Sequence, residues 1–206
     1  MTAYPGVILA GGLARRMGGG DKALKQLGDR PILDHVIERL SAQCAPVALN
    51  ANGDPSRFQA FGLPVIADQA ETYAGPLAGV LAGLDWAAGI GARAIITVAA
   101  DTPFFPKDLA ERLQSACAGS DPRIVLAATH GADGKTIRHP TFGLWPVALR
   151  EDLRAALADG VRKVVQWTDR HDAKTALFAT GPVDPFFNVN TPEDLATAQT
   201  YLDAVQ

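Results

Sequence analysis

Four apolar runs, each broken off by a polar or flexible residue, constrain this chain more than any other feature. They cover about Tyr4 to Ala10, Pro46 to Asn50, Pro64 to Asp68 and Ala94 to Ala100, and they break off at Gly11, Asn50, Asp68 and Asp101. A short unbroken apolar run bounded by turn signals fits a strand buried on both faces, as in a parallel sheet. Between the runs, apolar residues recur at helical spacing. Arg30-Pro31 opens a helix carrying Ile32, Leu33, Val36, Ile37 and Leu40 to about Cys44, a weaker helix is expected over Ser56 to Phe61, and Pro76 to Ala88 is rich in Ala, Leu and Gly. Glycine costs about 1 kcal/mol against alanine inside an exposed helix, so Gly79 and Gly83 predict a helix packed closely against its neighbours. Strand and helix alternate for over a hundred residues, which predicts an α/β fold with a parallel sheet.

The second half is looser. A helix is expected over Pro106 to Ala118, and strands over Ile124 to Thr129 and Thr141 to Trp145 flank the turn Gly131 to Gly134. Helices follow over Val147 to Ala158 and Val161 to Thr168, then a strand near Thr175 to Ala179 and the segment Phe186 to Asn190. Thr191, Pro192 and Asp194 occupy N-cap, N1 and N3 of a last helix, a good helix start. This half reads as an antiparallel addition to the sheet. The 206 residues suit one domain, with no repeat or linker to divide them.

Ligands of open parallel sheets bind beyond the carboxyl ends of the strands. Here those ends carry Asn50 with Asn52, Asp68, Asp101, and the loop Gly11 to Lys22 with its five glycines. Glycine lets a backbone adopt positive φ and approach a ligand closely, and backbone N–H groups in that geometry make an anion-binding concavity. Arg15, Arg16, Lys22 and Lys25 add cations to a chain whose net charge is −3. A local cluster on an acidic chain suits a small anion, whereas nucleic acid or an anionic membrane would favour a basic surface. Asp101 follows an apolar strand and precedes Thr102-Pro103; a carboxylate so placed suits Mg²⁺, which takes one or two carboxylates and fills its octahedron with water and phosphate oxygens.

Several classes are poorly supported. The loop is neither GxxxxGK[ST] nor GxGxxG, so P-loop chemistry and dinucleotide oxidoreduction are not indicated. Cys44 and Cys117 lie far apart without zinc spacing and read as small hydrophobes. His35 is expected on an exposed or half-buried helix face, and His130 and His171 in polar turns, all structural. Trp86, Trp145 and Trp167 read as core. No apolar run approaches the ~20 residues of a membrane span and no signal peptide is evident, so a cytoplasmic protein is expected.

Leu9-Ala-Gly-Gly-Leu-Ala-Arg-Arg-Met-Gly-Gly-Gly-Asp-Lys22 resembles the LAGG-x-x-x-R-M-G-x-x-K signature of the molybdenum cofactor guanylyltransferases. The resemblance extends through Asn50-Ala-Asn52, Asp68, Tyr73 to Gly79, Asp101-Thr-Pro103, His139-Pro140 and Asn188 to Leu195. It departs in Gly18-Gly-Gly20, which holds more glycine than the motif needs. The resemblance implies a three-layer Rossmann-like nucleotidyltransferase fold with a mostly parallel sheet. It implies GTP and Mo-molybdopterin as substrates, Mg²⁺ as cofactor, and proteins of molybdopterin delivery and molybdoenzyme maturation as partners. The chemistry implied is transfer of GMP to the terminal phosphate of molybdopterin with release of pyrophosphate.

Matched residue by residue, the resemblance implies that Leu9, Ala10, Gly11, Gly12 and Lys22 hold the nucleotide, Lys22 with Arg16 near its phosphates. Asn50 and Asp68 match positions binding the guanosine part, Asp101 matches the metal ligand, and Arg16, Lys22 and Asp101 carry catalysis. Asn188 and Asn190 match a motif near the metal and pterin phosphate, and Arg138 and His139 fall where the family approaches the pterin. The implied division gives about 1–105 to the nucleotide and about 106–206 to the pterin. Two alternatives stay open: a cytidylyltransferase of the same fold, whose members tend to read LAAG where this chain reads Leu9 to Gly12, and a non-catalytic nucleotide carrier.

Overall fold

The computed structural model describes residues 3–11, 21–69, 75–117, 119 and 121–205. Gly12, Arg15 and Arg16, on which part of the loop reading rests, lie outside the described residues, as do Gly18 to Gly20 and Tyr73.

In chain order the elements are β1 (Gly6–Leu9), β2 (Gln26–Leu27), β3 (Arg30–Pro31), α1 (Ile32–Ser41), β4 (Val47–Asn50) and β5 (Val65–Ile66). Then come α2 (Pro76–Gly89), β6 (Ala94–Ala99), α3 (Leu109–Ala116), β7 (Val125–His130), β8 (Thr136–Pro146), α4 (Arg150–Ala158), α5 (Val164–Thr168), β9 (Lys174–Leu177) and α6 (Pro192–Val205). Seven strands form one sheet in the order β5-β4-β1-β6-β8-β7-β9. β1 pairs parallel with both β4 and β6, β4 pairs parallel with β5, and β7 parallel with β9. β8 runs antiparallel to both its neighbours, β6 and β7. The expected addition therefore consists of one reversed strand wedged between parallel ones.

The apolar runs explain the layers. Successive side chains of a strand point to opposite faces, so a run apolar at every position needs cover on both. Ile8 of β1 and Ile96 of β6 pack with Ile32, Leu33, Val36 and Leu40 of α1 and with Leu109 and Leu113 of α3; Ala198 of α6 joins this cluster. Their neighbours Val7 and Ile95 pack on the other face with Leu77, Val80 and Leu84 of α2, Leu153 and Leu157 of α4, and Trp167 of α5. All the strand and helix residues named here are fully buried. Burying a Val, Leu or Ile side chain contributes about 1.5–3 kcal/mol each, so both faces hold the sheet.

Some boundaries shift from those expected. The reversed strand begins at Thr136, five residues before Thr141, because it extends past the end of β6 and pairs with β7 as far as His130. The helices expected to begin at Pro106 and Val161 begin at Leu109 and Val164. Arg30 and Pro31 pair with Leu27 and Gln26 in a small hairpin, and α1 starts one residue later. His35 is buried rather than half-exposed, since its Nε2 lies 2.9 Å from the Leu27 carbonyl of that hairpin. Cys44 and Cys117 are buried, and burial pushes the Cys44 thiol up to about 12, so it stays protonated. Trp145 and Trp167 are fully buried and stacked 6.2 Å apart, as core.

Candidate active site

The chain enters the sheet through β1, beside the central strand, moves outward to β4 and β5, then returns to the other side of β1 as β6. The reversal falls between β1 and β6, the place where open α/β sheets receive ligands. Leu9, Ala10, Asp21, Lys22, Ala100 and Asp101 line a cavity there.

Lys22 is the hub of this cavity. Its Nζ donates to Asp101 Oδ2 at 2.8 Å and to Asn190 Oδ1 at 2.6 Å, joining residues 79 and 168 positions away. Both carboxylate and ammonium are mostly covered, at 22% and 18% exposure. Thr102 completes the connection: its hydroxyl donates to Asn188 Oδ1 and lies 3.3 Å from Asp101 Oδ1. The backbone supports it, because the Val189 N–H donates to the Asp101 carbonyl at 2.8 Å. Asn190 is fixed in turn by the start of α6. Asp194 Oδ2 accepts the N–H groups of Asn190 and Thr191, each at 2.9 Å, while Thr191 Oγ1 accepts the Asp194 N–H at 3.1 Å. That reciprocal pair is the capping box expected from the sequence.

The exit of the glycine loop is held as firmly. Gly28, at the tip of the β2–β3 hairpin with φ +67°, donates its N–H to Gln199 Oε1 of α6 at 2.8 Å. A Cβ there would meet Leu202 at 2.8 Å, so the turn needs glycine both for its φ and for its contact with α6. Lys22 therefore sits on a segment clamped between α1 and α6.

A second group occupies the ends of β4 and β5. Asn50, 2% exposed, donates through Nδ2 to the Ile66 carbonyl at 3.1 Å and to Asp68 Oδ1 at 2.9 Å. Asn52 Nδ2 donates to Asp68 Oδ2 at 2.8 Å, and Asn52 Oδ1 accepts the Asp68 N–H at 2.9 Å. Both carboxylate oxygens of Asp68 are thus held by amides. Gly79 is what lets α2 pass this cluster, because a Cβ on it would lie 2.3 Å from Asn50 Oδ1 and 2.9 Å from Leu9 Cδ2. By contrast, the nearest atom to a Cβ on Gly11 is Asn50 Oδ1 at 3.8 Å, an ordinary contact. Gly79→Ala is expected to lower stability by about 1–3 kcal/mol, the usual cost of overpacking, and to loosen nucleotide binding by pushing Asn50 aside. Chemical denaturation and calorimetry with a nucleoside triphosphate check it; unchanged values in both would show that Asn50 yields freely.

Arg138 and His139 lie on the part of β8 that continues past the carboxyl end of β6, since Thr97 pairs with Gly143. Adjacent on one strand, they point to opposite faces. His139 stacks on Phe186 at 4.0 Å with an interplanar angle of 17°, and its Nε2 lies 2.9 Å from Thr129 Oγ1. Arg138 turns to the other side and pairs with Asp169. Only His139 therefore borders the Phe186 to Asn190 segment.

Burial lowers the His139 pKa, with Asp184 partly opposing. The folded ring favours its neutral form, so as pH falls below ~6.5 the unfolded chain takes up the proton first. His139 thus contributes stability above that value that is lost as pH falls through its folded pKa. His139→Gln is expected to flatten the fall in stability between about pH 7 and pH 5 relative to the parent, read from urea unfolding at several pH values. An identical pH profile in the variant would remove His139 from that role.

Among the described residues no group of three or more His, Cys, Asp or Glu forms a metal cage. The oxygens that converge on Lys22 Nζ, a carboxylate oxygen of Asp101 and an amide oxygen of Asn190, are nevertheless hard donors of the kind divalent cations prefer. An ammonium already stands between them as the local cation. The residues present thus fit a divalent metal that takes one carboxylate from the protein and its remaining ligands from phosphate and water.

Residues 6–174 match the family model described as the MobA-like NTP transferase domain. A molybdenum cofactor guanylyltransferase of Bradyrhizobium sp. strain ORS 278 is 54% identical over 201 residues, covering 96% of this chain and 92% of its own. The chain belongs to this family. It is a nucleotidyltransferase enzyme, and the family suggests use of a divalent metal. Among solved structures, molybdopterin-guanine dinucleotide biosynthesis protein A of Archaeoglobus fulgidus superposes with a TM-score of 0.74 at 20% identity, over 98% of this chain and 100% of its own. A 4-diphosphocytidyl-2C-methyl-D-erythritol synthase of Anaerococcus prevotii gives 0.71 at 15% identity, over 98% and 96%. The fold of the family is the expected one, and it is shared with an enzyme named for a cytidyl compound.

Sequence reading missed three supports of this site: Thr102, the hairpin around Gly28, and Arg154. Arg154 donates to Asp85 at 2.6 Å and to Gln69 at 2.8 Å, tying α4 and α2 to the residue after Asp68. The hairpin had a signal, a Gly-Asp pair between two short runs. Thr102 stood within the Asp101-Thr-Pro103 stretch but nothing in it pointed to Asn188, 86 positions away, and Arg154 had no signal, because its partners lie 85 and 69 positions away.

Proposed function

We propose that the chain transfers GMP from GTP to the terminal phosphate of Mo-molybdopterin, releasing pyrophosphate and forming Mo-molybdopterin guanine dinucleotide. It is a molybdenum cofactor guanylyltransferase. The observation that carries the reading is the convergence of Lys22, Asp101 and Asn190 at the sheet's reversal point, in a chain 54% identical to a protein of that name. We assign Leu9 to Gly12, Lys22, Asn50, Asp68 and Asp101 to GTP, His139, Asn188 and Asn190 to the pterin substrate, and Arg16, Lys22 and Asp101 to catalysis; Arg138, expected beside the pterin, is left out because it faces the other side of the strand and pairs with Asp169. Residues 1–105 then serve mainly the nucleotide and 106–206 mainly the pterin. The reading places the reaction in the cytoplasm, where GTP is held. The expected protein partners are those that deliver molybdopterin and mature molybdoenzymes.

The chemistry asks little covalent work of the protein. An oxygen of the pterin phosphate, already ionised at neutral pH, forms a bond to the α-phosphorus of GTP, and the bond from that phosphorus to the bridging oxygen of pyrophosphate breaks. The chain's task is to bring two anions together and to meet the charge of the departing group. Lys22 supplies a directed ammonium there. Asn50 and Asp68, held rigid by Asn52 and the Ile66 carbonyl, offer the polar edge that a base requires. Asp101, with Asn190 beside it, would hold Mg²⁺, which when bound offsets phosphate charge as a Lewis acid.

The test is pyrophosphate release with Mo-molybdopterin and Mg²⁺, comparing GTP, CTP and ATP. Turnover is expected with GTP. Preferred turnover with CTP would make the chain a cytidylyltransferase, and triphosphate binding without release a carrier.

A further inference from the structure

Two carboxylates line the cavity assigned to the triphosphate, Asp101 and Asp21. Asp101 is compensated by Lys22. Asp21, 18% exposed, faces the same ligand, and its ion pair among the described residues is with Arg57, whose Nε lies 3.1 Å from Asp21 Oδ2. Arg57 sits on the short turn of helix Pro55–Phe61 that follows β4, far from the glycine loop in sequence. Its Nη2 donates to the Asn52 carbonyl, and its guanidinium carbon lies 4.8 Å over the ring of Phe58, which is 1% exposed. Asp54, the nearby acid, is occupied by capping Ser56 through N–H and hydroxyl. One planar fork therefore spans the two halves of the nucleotide site, the exit of the glycine loop on one side and the Asn52–Asp68 cluster on the other.

We propose that Arg57 is a positioning residue for the nucleotide: it masks the charge of Asp21 and fixes the residue before Lys22 against the Asn52 end of β4. The inference rests on the nucleotide reading above. Without Arg57, a bare carboxylate would face the phosphates one residue from the ammonium meant to bind them. The buried Phe58 ring and the Asn52 carbonyl hold the guanidinium in one orientation, so the loop exit gains a fixed partner before any ligand arrives. An arginine suits this role because one planar group can pair with a carboxylate and a carbonyl at once.

The test is calorimetric titration of the full chain with GTP and Mg²⁺, together with steady-state kinetics and thermal melts. Arg57→Ala is expected to weaken GTP binding about tenfold, on the scale of a charge-assisted contact, raising KM more than it lowers kcat. Arg57→Lys, which keeps the charge but loses the fork, should fall between variant and parent. Adding Asp21→Asn to Arg57→Ala should recover most of the lost affinity, because the charge to be masked is then gone. Unchanged GTP affinity in Arg57→Ala overturns the proposal. So does a loss that Asp21→Asn leaves unrelieved alongside a lowered melting temperature, which would make Arg57 purely structural. Binding is read apart from transfer, so a parent that binds GTP without guanylyl transfer defeats the functional reading while the affinities still decide the role of Arg57. A parent that binds no nucleoside triphosphate overturns both.

Discussion

Asp101→Ala is expected to lower GMP transfer at least ~10³-fold, about 4 kcal/mol of barrier, while leaving the fold intact. The carboxylate bonds Lys22 and lies beside the Thr102 hydroxyl that reaches Asn188, and a metal at a phosphoryl centre supplies several kcal/mol. The structural cost is small by comparison. The Asp101–Lys22 pair is mostly covered, but Lys22 keeps its bond to Asn190 Oδ1 when the carboxylate is removed, so the ammonium is not left without a partner. The strand end stays anchored by its own carbonyl, which accepts the Val189 N–H whatever the side chain. Thr102, fully buried, keeps its bond to Asn188. Pyrophosphate release with saturating Mg²⁺ and a thermal melt read the two quantities separately. Near-normal transfer by the variant would remove Asp101 from the metal role, and a collapsed melt would make its role structural. Asp101→Asn sharpens the result, since it keeps an acceptor for Lys22 but loses the charge; activity close to the parent would show that charge is not what matters.

Lys22→Ala is expected to cost at least ~10² in kcat, the scale for one donor aimed at developing charge. Lys22 is pre-aimed by two oxygen acceptors and by a loop exit clamped through Gly28 to α6, so it need not be ordered during reaction. A change confined to KM would mean that the ammonium binds ground state and transition state equally. Since Lys22 and Asp101 touch, their effects should not add: the double variant should be little slower than Asp101→Ala alone. Two full, multiplying losses would indicate independent roles.

How much of this site could be read in advance differs residue by residue. The strand-end positions Asn50, Asp68 and Asp101 were legible because a largely apolar run breaks off at each of them, although the run before Asp68 forms a strand that is only partly buried. Lys22 was legible as a cation in a glycine loop, although its partners were not. The reversed strand was legible as a turn between two strands but was placed five residues late. Its first part lies at the rim, where exposed Thr136 and Ile137 break the apolar pattern. His35 was misread because helical spacing does not reveal that a hairpin of the same chain folds back over that face. Arg138 and His139, neighbours in one motif, were separated by the two-residue period of the strand that carries them.

The sequence by itself determined the class of fold, the capping of α6, the burial of both cysteines and of Trp145 and Trp167, with Trp86 only partly buried at the edge of the core, and the resemblance to the family. These follow from local rules: periodicity, burial and capping act over a few residues. Tertiary structure alone decided that Lys22 meets Asp101 and Asn190, that Thr102 joins Asp101 to Asn188, and that Arg57 reaches Asp21. Each of those contacts depends on strand order and on where α6 returns to the sheet. The 36 to 168 positions that separate Asp21 from Arg57, Lys22 from Asp101 and Asn190, and Thr102 from Asn188 are closed only when both faces of β1 and β6 find their helices.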